Sequence, residues 1–227
     1  MIFEVTPDQI SQLVATRLVE LMKRLLLAEC GLAKIPLRAS SVPLQITVPD
    51  GGEDGRVEWT GGANSTNYFP RRFCVFQSKA QALTKARVIS EILKTKKRGQ
   101  QKLVLNDAVL ETISKKGAYV LFSSRPLTGQ KKKALCSDAK AAIRKGGGNS
   151  AEIQIEIYDA NRIADWVNAH PAVALWVSSG VRLRSVSGFQ SFDGWSRAHE
   201  IKVVPWIEDN KARYVPTNLD TGKRSTG

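Results

Sequence analysis

The segment Ala118-Tyr119-Val120-Leu121-Phe122-Ser123 carries no charge and no alternation of apolar and polar side chains. A strand of this kind is covered on both faces, as in the middle of a sheet with helices on each side. Phe73-Cys74-Val75-Phe76-Gln77 has the same character. Ile153, Ile155 and Ile157 alternate with polar residues and predict a strand over 152–158. Residues 43–48 and Arg56-Val57-Glu58-Trp59 read as two further strands. Apolar spacings of three and four predict helices over 7–30, 80–98, 103–114 and 128–145, and from the capping Asp159 to about Asn168. Thr6 is the expected N-cap of the first, with Pro7 in its first turn and Gly31 as its stop. The order α-β-β-β-α-α-β-α-β-α specifies an α/β domain with a mixed central β-sheet flanked by helices.

Length allows one substantial domain with a real core: 227 residues. With 42% hydrophobic and 24% charged residues, a wholly disordered chain is excluded. No apolar run approaches the roughly 18 residues of a membrane span. Met1-Ile2-Phe3-Glu4 has no basic region followed by an apolar core, so no secretory leader is expected. Cys30, Cys74 and Cys136 form no CxxC pair, which argues against zinc ribbons and redox sites. Two of the three lie in apolar surroundings, read as reduced thiols, and fit a cytoplasmic protein. The domain is expected over 1–178, an extension over 179–216 and a linker over 217–227.

Charge narrows the partner. Lys plus Arg number 34 against 21 Asp plus Glu, a net +13 that favours a polyanion. The cations cluster as Lys94, Lys96, Lys97, Arg98 and Lys102, then as Lys131, Lys132, Lys133, Lys140, Arg144 and Lys145. Arg71 and Arg72 precede the Phe73 strand. Contact with a DNA backbone is expected of Arg71, Arg72, Lys96, Lys97, Arg98, Lys131 and Lys132, and no base-reading module is evident.

The richest constellation is Asp50-Gly51-Gly52-Glu53-Asp54-Gly55 followed, about twenty residues on, by Phe76-Gln77-Ser78-Lys79. Gln77 and Lys79 are two apart and so share one strand face. Two polar side chains ending an apolar strand mark either a strand that surfaces or a site. Gly51, Gly52 and Gly55 most simply supply positive φ. The only histidines, His170 and His199, have no ligand partner at helical spacing, and Ser123-Ser124 lacks a GxSxG context.

This pattern resembles the PD-(D/E)XK nuclease superfamily in its Mrr-like branch, which reads roughly Asp-Gly-Gly-x-Asp-Gly and then Gln-x-Lys. More narrowly it is similar to the N-terminal nuclease modules of bacterial anti-phage defence proteins, some of which precede a STAND-type NTPase (the AVAST type). The resemblance covers roughly residues 10–170. It implies a restriction-endonuclease-like core and an Mg²⁺-dependent endodeoxyribonuclease, with Mn²⁺ as a substitute metal. Double-stranded DNA would be cut with low sequence specificity. Asp54 and Gln77 would hold the metal and Lys79 would serve the attacking water or the transition state. Gln77 stands where many superfamily members have Asp or Glu, so another carboxylate is expected to compensate. Glu29 is the choice, with Glu20 and Glu58 as competitors. Cutting both strands implies a dimer or tetramer, regulated by a further domain. The alternative is a nuclease-fold module that binds DNA or assembles without cutting.

Overall fold

The computed structural model describes residues 4–43, 53–96 and 102–180. The expected extension and linker beyond position 180 lie outside them, as do Lys97, Arg98, Asp50, Gly51, Gly52 and all but the first residue of the strand expected over 43–48.

A five-stranded sheet forms the centre. Its strands are β1 (Ser40–Ser41), β2 (Gly55–Glu58), β3 (Phe73–Lys79), β6 (Ala118–Ser123) and β7 (Gln154–Tyr158), in the order β1-β2-β3-β6-β7. β1, β2 and β3 pair antiparallel, whereas β3, β6 and β7 pair parallel, so the sheet is mixed. All six residues of β6 are buried, as its unbroken apolar run requires.

Helices cover both faces. On one lie α1 (Pro7–Ser11), α2 (Ala15–Leu32), α6 (Ala160–Asn168) and α7 (Pro171–Gly180), packed on Val57, Cys74, Phe76, Val120 and Phe122. On the other lie α3 (Lys85–Ile92), α4 (Asp107–Ser114) and α5 (Gly129–Lys145), packed on Phe73, Val75, Tyr119 and Leu121. Strand alternation therefore sends even-numbered β3 residues to the first face and odd-numbered ones to the second. Trp166 of α6 centres the first core. It is fully buried, stacked on Tyr68 at 4.6 Å, with Phe69, Phe76, Phe122 and Tyr158 around it.

Three elements differ from the sequence expectation. The first helix is two. Thr6 and Gln9 form a capping box around Pro7, but the helix stops at Ser11, whose Oγ donates to the Ser124 carbonyl at 2.9 Å. Tertiary anchoring here outweighs a periodicity that runs straight through the break. α2 then passes Gly31 and closes beyond Leu32, with Lys34 at φ 56° and Ile35 N–H donating to the Cys30 carbonyl at 2.8 Å.

The helices expected over 80–98 and 103–114 each give up one end to a hairpin. β4 (Leu93–Lys96) and β5 (Lys102–Leu105) pair antiparallel, Leu93 opposite Leu105. Both leucines press on the turn after α5. A Cβ on Gly146 would meet Leu105 Cδ2 at 2.7 Å and Leu93 Cδ2 at 2.8 Å. Side-chain spacing along one segment does not register a contact made fifty residues away.

Gly55 also has a packing role rather than a positive φ. Its missing Cβ would lie 3.1 Å from both Met22 Cε and Val42 Cγ2, which lets β2 lie close on α2. Positive φ among the described glycines occurs at Gly61, Gly62 and Gly147. The three thiols are free, and burial pushes Cys30 up to about 11 and Cys74 up to about 12, which leaves neither as a nucleophile.

Candidate active site

The antiparallel register places Gly55 opposite Phe76, so Asp54 reaches the sheet beside Gln77. Asp54 N–H donates to the Phe76 carbonyl at 2.9 Å, extending the ladder by one rung. Asp54 Oδ2 accepts from Gln77 Nε2 at 2.9 Å and from Ser78 N–H at 2.7 Å. Two motifs separated by more than twenty residues thus meet at one point. Glu53, its neighbour, is bound by Arg56, which also bridges to Glu111 of α4. Among the described residues Asp54 is thus the carboxylate bonded to Gln77 and Ser78 of β3.

Gln77 is buried. With Nε2 committed to Asp54, its Oε1 has no hydrogen-bond partner among the described residues. A buried amide oxygen without a donor is costly unless something positive completes it. Among the described residues no three His, Cys, Asp or Glu side chains converge. A cation here would rely on the Asp54 carboxylate and the Gln77 amide oxygen. These are hard oxygen donors of the kind Mg²⁺ takes, with water completing its shell.

Lys79 ends β3 on the same face as Gln77. Its Nζ lies 3.0 Å from Glu91 Oε1 of α3. Its carbonyl accepts from Ser124 N–H at 3.1 Å, and Arg125 Nε donates to the Ala80 carbonyl at 3.3 Å. Sequence reasoning passed over Glu91 and Arg125. The available signal for Glu91 was its spacing, since it falls between Val88 and Ile92 on the buried stripe of α3.

Glu29 is not brought to this pair. It belongs to α2, on the sheet face opposite Gln77 and Lys79. It is buried, with Oε2 3.6 Å from His170 Nε2 and neither atom hydrogen-bonded among the described residues. Burial pushes its carboxyl up, but His170, Thr66 and the Tyr68 backbone outweigh that and hold it below the ordinary value. The physical reason for the difference is strand alternation, which a helix-to-strand comparison in sequence cannot resolve. Glu20 spans Arg17 and Arg24, whose guanidinium groups lie over Trp176, and Glu58 pairs with Lys115.

The expected DNA contacts divide. Lys131 is exposed in the first turn of α5, which starts just beyond the β6 end that pairs with Lys79. Lys132 is next to it, but its ammonium is 3.1 Å from the buried Asp159. Arg71 and Arg72 precede β3, at the opposite end from Lys79, roughly 20 Å along the strand. Arg71 bonds Gln154, and Arg72 bonds the carbonyls of Gly62 and Ala63. Lys96 lies in β4.

Compared with models of known protein families, with curated proteins and with solved structures, this chain matches none. Among the described residues no helix is long and apolar enough to cross a membrane.

Proposed function

We propose that this protein is a metal-dependent DNA endonuclease of the PD-(D/E)XK type, serving as an effector in prokaryotic anti-phage defence. The observation that carries the reading is the meeting of Asp54 with Gln77 at the mouth of β3, Lys79 following on the same face. A mixed sheet with this carboxylate on the antiparallel partner and the Gln-x-Lys on the central strand is the arrangement the motif resemblance calls for.

In this reading Asp54 and Gln77 hold an Mg²⁺ ion, for which Mn²⁺ substitutes. When bound, the metal supplies a Lewis acid for the phosphate and lowers the pKa of a bound water. Asp54 is oriented by two donors, so its carboxylate is presented in one geometry. Lys79 brings an ammonium to the reacting phosphate, where it steadies developing negative charge or orients water. Lys131 and the exposed Arg125 offer phosphate contacts at the same end of the sheet. Double-stranded DNA is the proposed substrate, cut by a homodimer or tetramer so that both strands are reached.

Supercoiled plasmid incubated with the full chain tests this. Nicking or linearisation with Mg²⁺, lost in EDTA and in Asp54→Ala, supports it. Lys79→Ala should lower the rate by about 100-fold or more while DNA binding persists. DNA binding without cleavage under any metal would favour the alternative, a binding or assembly module built on the nuclease fold.

A further inference from the structure

We propose that Glu91 is the positioning residue for Lys79 and provides a second negative charge near Asp54, where glutamine stands at position 77. The inference rests on the nuclease reading and adds a residue to it.

Lysine is a compact point charge on a flexible four-carbon stem. At the end of a strand, it orients a phosphate or water only if something holds the ammonium. Glu91 Oε1 does so at 3.0 Å. The two side chains are 22% and 17% exposed, and no other lysine in a described ion pair is as covered. The exposed pair Lys85–Asp138, with its lysine 69% exposed, is screened by water in a way this one is not.

The anchor itself is rigid. Val88 and Ile92 of α3 are fully buried. Asn106 then fastens the helix end, its Nδ2 donating to the Glu91 carbonyl and its N–H donating to the Ile92 carbonyl at 3.0 Å. Thr84 caps the other end by accepting from Arg87 N–H. A carboxylate fixed at both ends of its helix sets where the Lys79 ammonium sits.

The face of the sheet selects Glu91 over Glu29. Gln77, Lys79 and α3 share one face, and α2 lies on the other. With glutamine at position 77, Asp54 is the carboxylate hydrogen-bonded to Gln77 and Ser78 of β3 among the described residues. Glu91 restores a second charge from a helix, without being a metal ligand, by balancing Lys79.

The test uses the full chain with Glu91→Gln, Glu91→Asp and, as a control, Asp138→Asn. Single-turnover plasmid cleavage is measured at saturating DNA with Mg²⁺. DNA affinity is measured by fluorescence anisotropy in Ca²⁺, and Mn²⁺ affinity by electron paramagnetic resonance. Glu91→Gln should lower the rate by about 10- to 100-fold, with DNA and Mn²⁺ affinities unchanged. Glu91→Asp should recover part of the rate, and Asp138→Asn should leave it alone. An unchanged rate in Glu91→Gln overturns the proposal. So does loss of Mn²⁺ binding, which would make Glu91 a ligand, or an equal loss in Asp138→Asn, which would make the effect one of α3 packing. A wild-type chain that binds DNA but never cleaves overturns the nuclease reading itself, and this inference with it.

Discussion

Gln77 Nε2 donates to Asp54 Oδ2 at 2.9 Å, and this one bond joins the two polar motifs of the chain. It also specifies what a charge at position 77 would do. Gln77→Glu replaces a donor with a second carboxylate beside the first. In EDTA the variant should be less stable than the wild type by about 1–3 kcal/mol, from the lost bond and the like-charge contact. Added Mg²⁺ or Mn²⁺ should then raise its melting temperature more than it raises that of the wild type. Thermal unfolding with and without metal reads both, whatever the cleavage activity.

Arg71 and Arg72 lie at one end of β3 and Lys79 at the other. Removing the exposed charge at Lys131 should therefore weaken DNA binding more than removing either arginine. One lost phosphate contact lowers the slope of log affinity against log salt by about 0.9. Anisotropy titrations of Lys131→Ala, Arg71→Ala and Arg72→Ala over a salt series make the comparison. Equal losses would place the duplex along the whole length of the sheet.

Asp159 is fully buried between β7 and α6. It accepts from Leu127 N–H at 2.9 Å, from Asn161 Nδ2 at 2.9 Å and from Lys132 Nζ at 3.1 Å, and it caps α6. Burial works against its charge, but these donors outweigh it and hold the carboxyl below the ordinary aspartate value. A carboxyl depressed on folding stabilises the protein fully above its unfolded value. That contribution is lost as pH falls below about 3.9. Asp159→Ala should cost about 2–3 kcal/mol at neutral pH. It should also flatten the fall in stability below pH 4, as measured by urea unfolding across pH.

Trp166 fills the centre of the core on the α2 side, with five aromatic neighbours. Trp166→Ala should lower stability by about 3–5 kcal/mol through the cavity it leaves. Because Gln77 and Lys79 lie on the opposite face, Trp166→Phe should reduce stability far less and, on the proposed nuclease reading, keep cleavage. Guanidinium unfolding and the plasmid assay test the two halves.

Much of this was legible in the residues themselves. The uncharged runs at 118–123 and 73–77 read as covered strands, and the alternation at 152–158 as a strand with one polar face. Such patterns report local burial, and the order of the elements along the chain pointed to a mixed sheet. The hairpin over Leu93–Leu105 was not legible, because its strands are short and basic. Their stability comes from Leu93 and Leu105 packing on a glycine turn more than forty residues from either.

The site divides in the same way. Residue type and spacing marked the end of β3 as either a surfacing strand or a site, and the motif resemblance singled out Asp54, Gln77 and Lys79. Which glutamate stands with them was a matter of tertiary structure. Sequence offered Glu29, Glu20 and Glu58 on grounds of charge, yet the alternation of β3 turns Lys79 toward α3 and leaves α2 on the far face. A strand's polar pattern determines that two side chains point the same way. Only the packing of helices on the sheet decides what they point at.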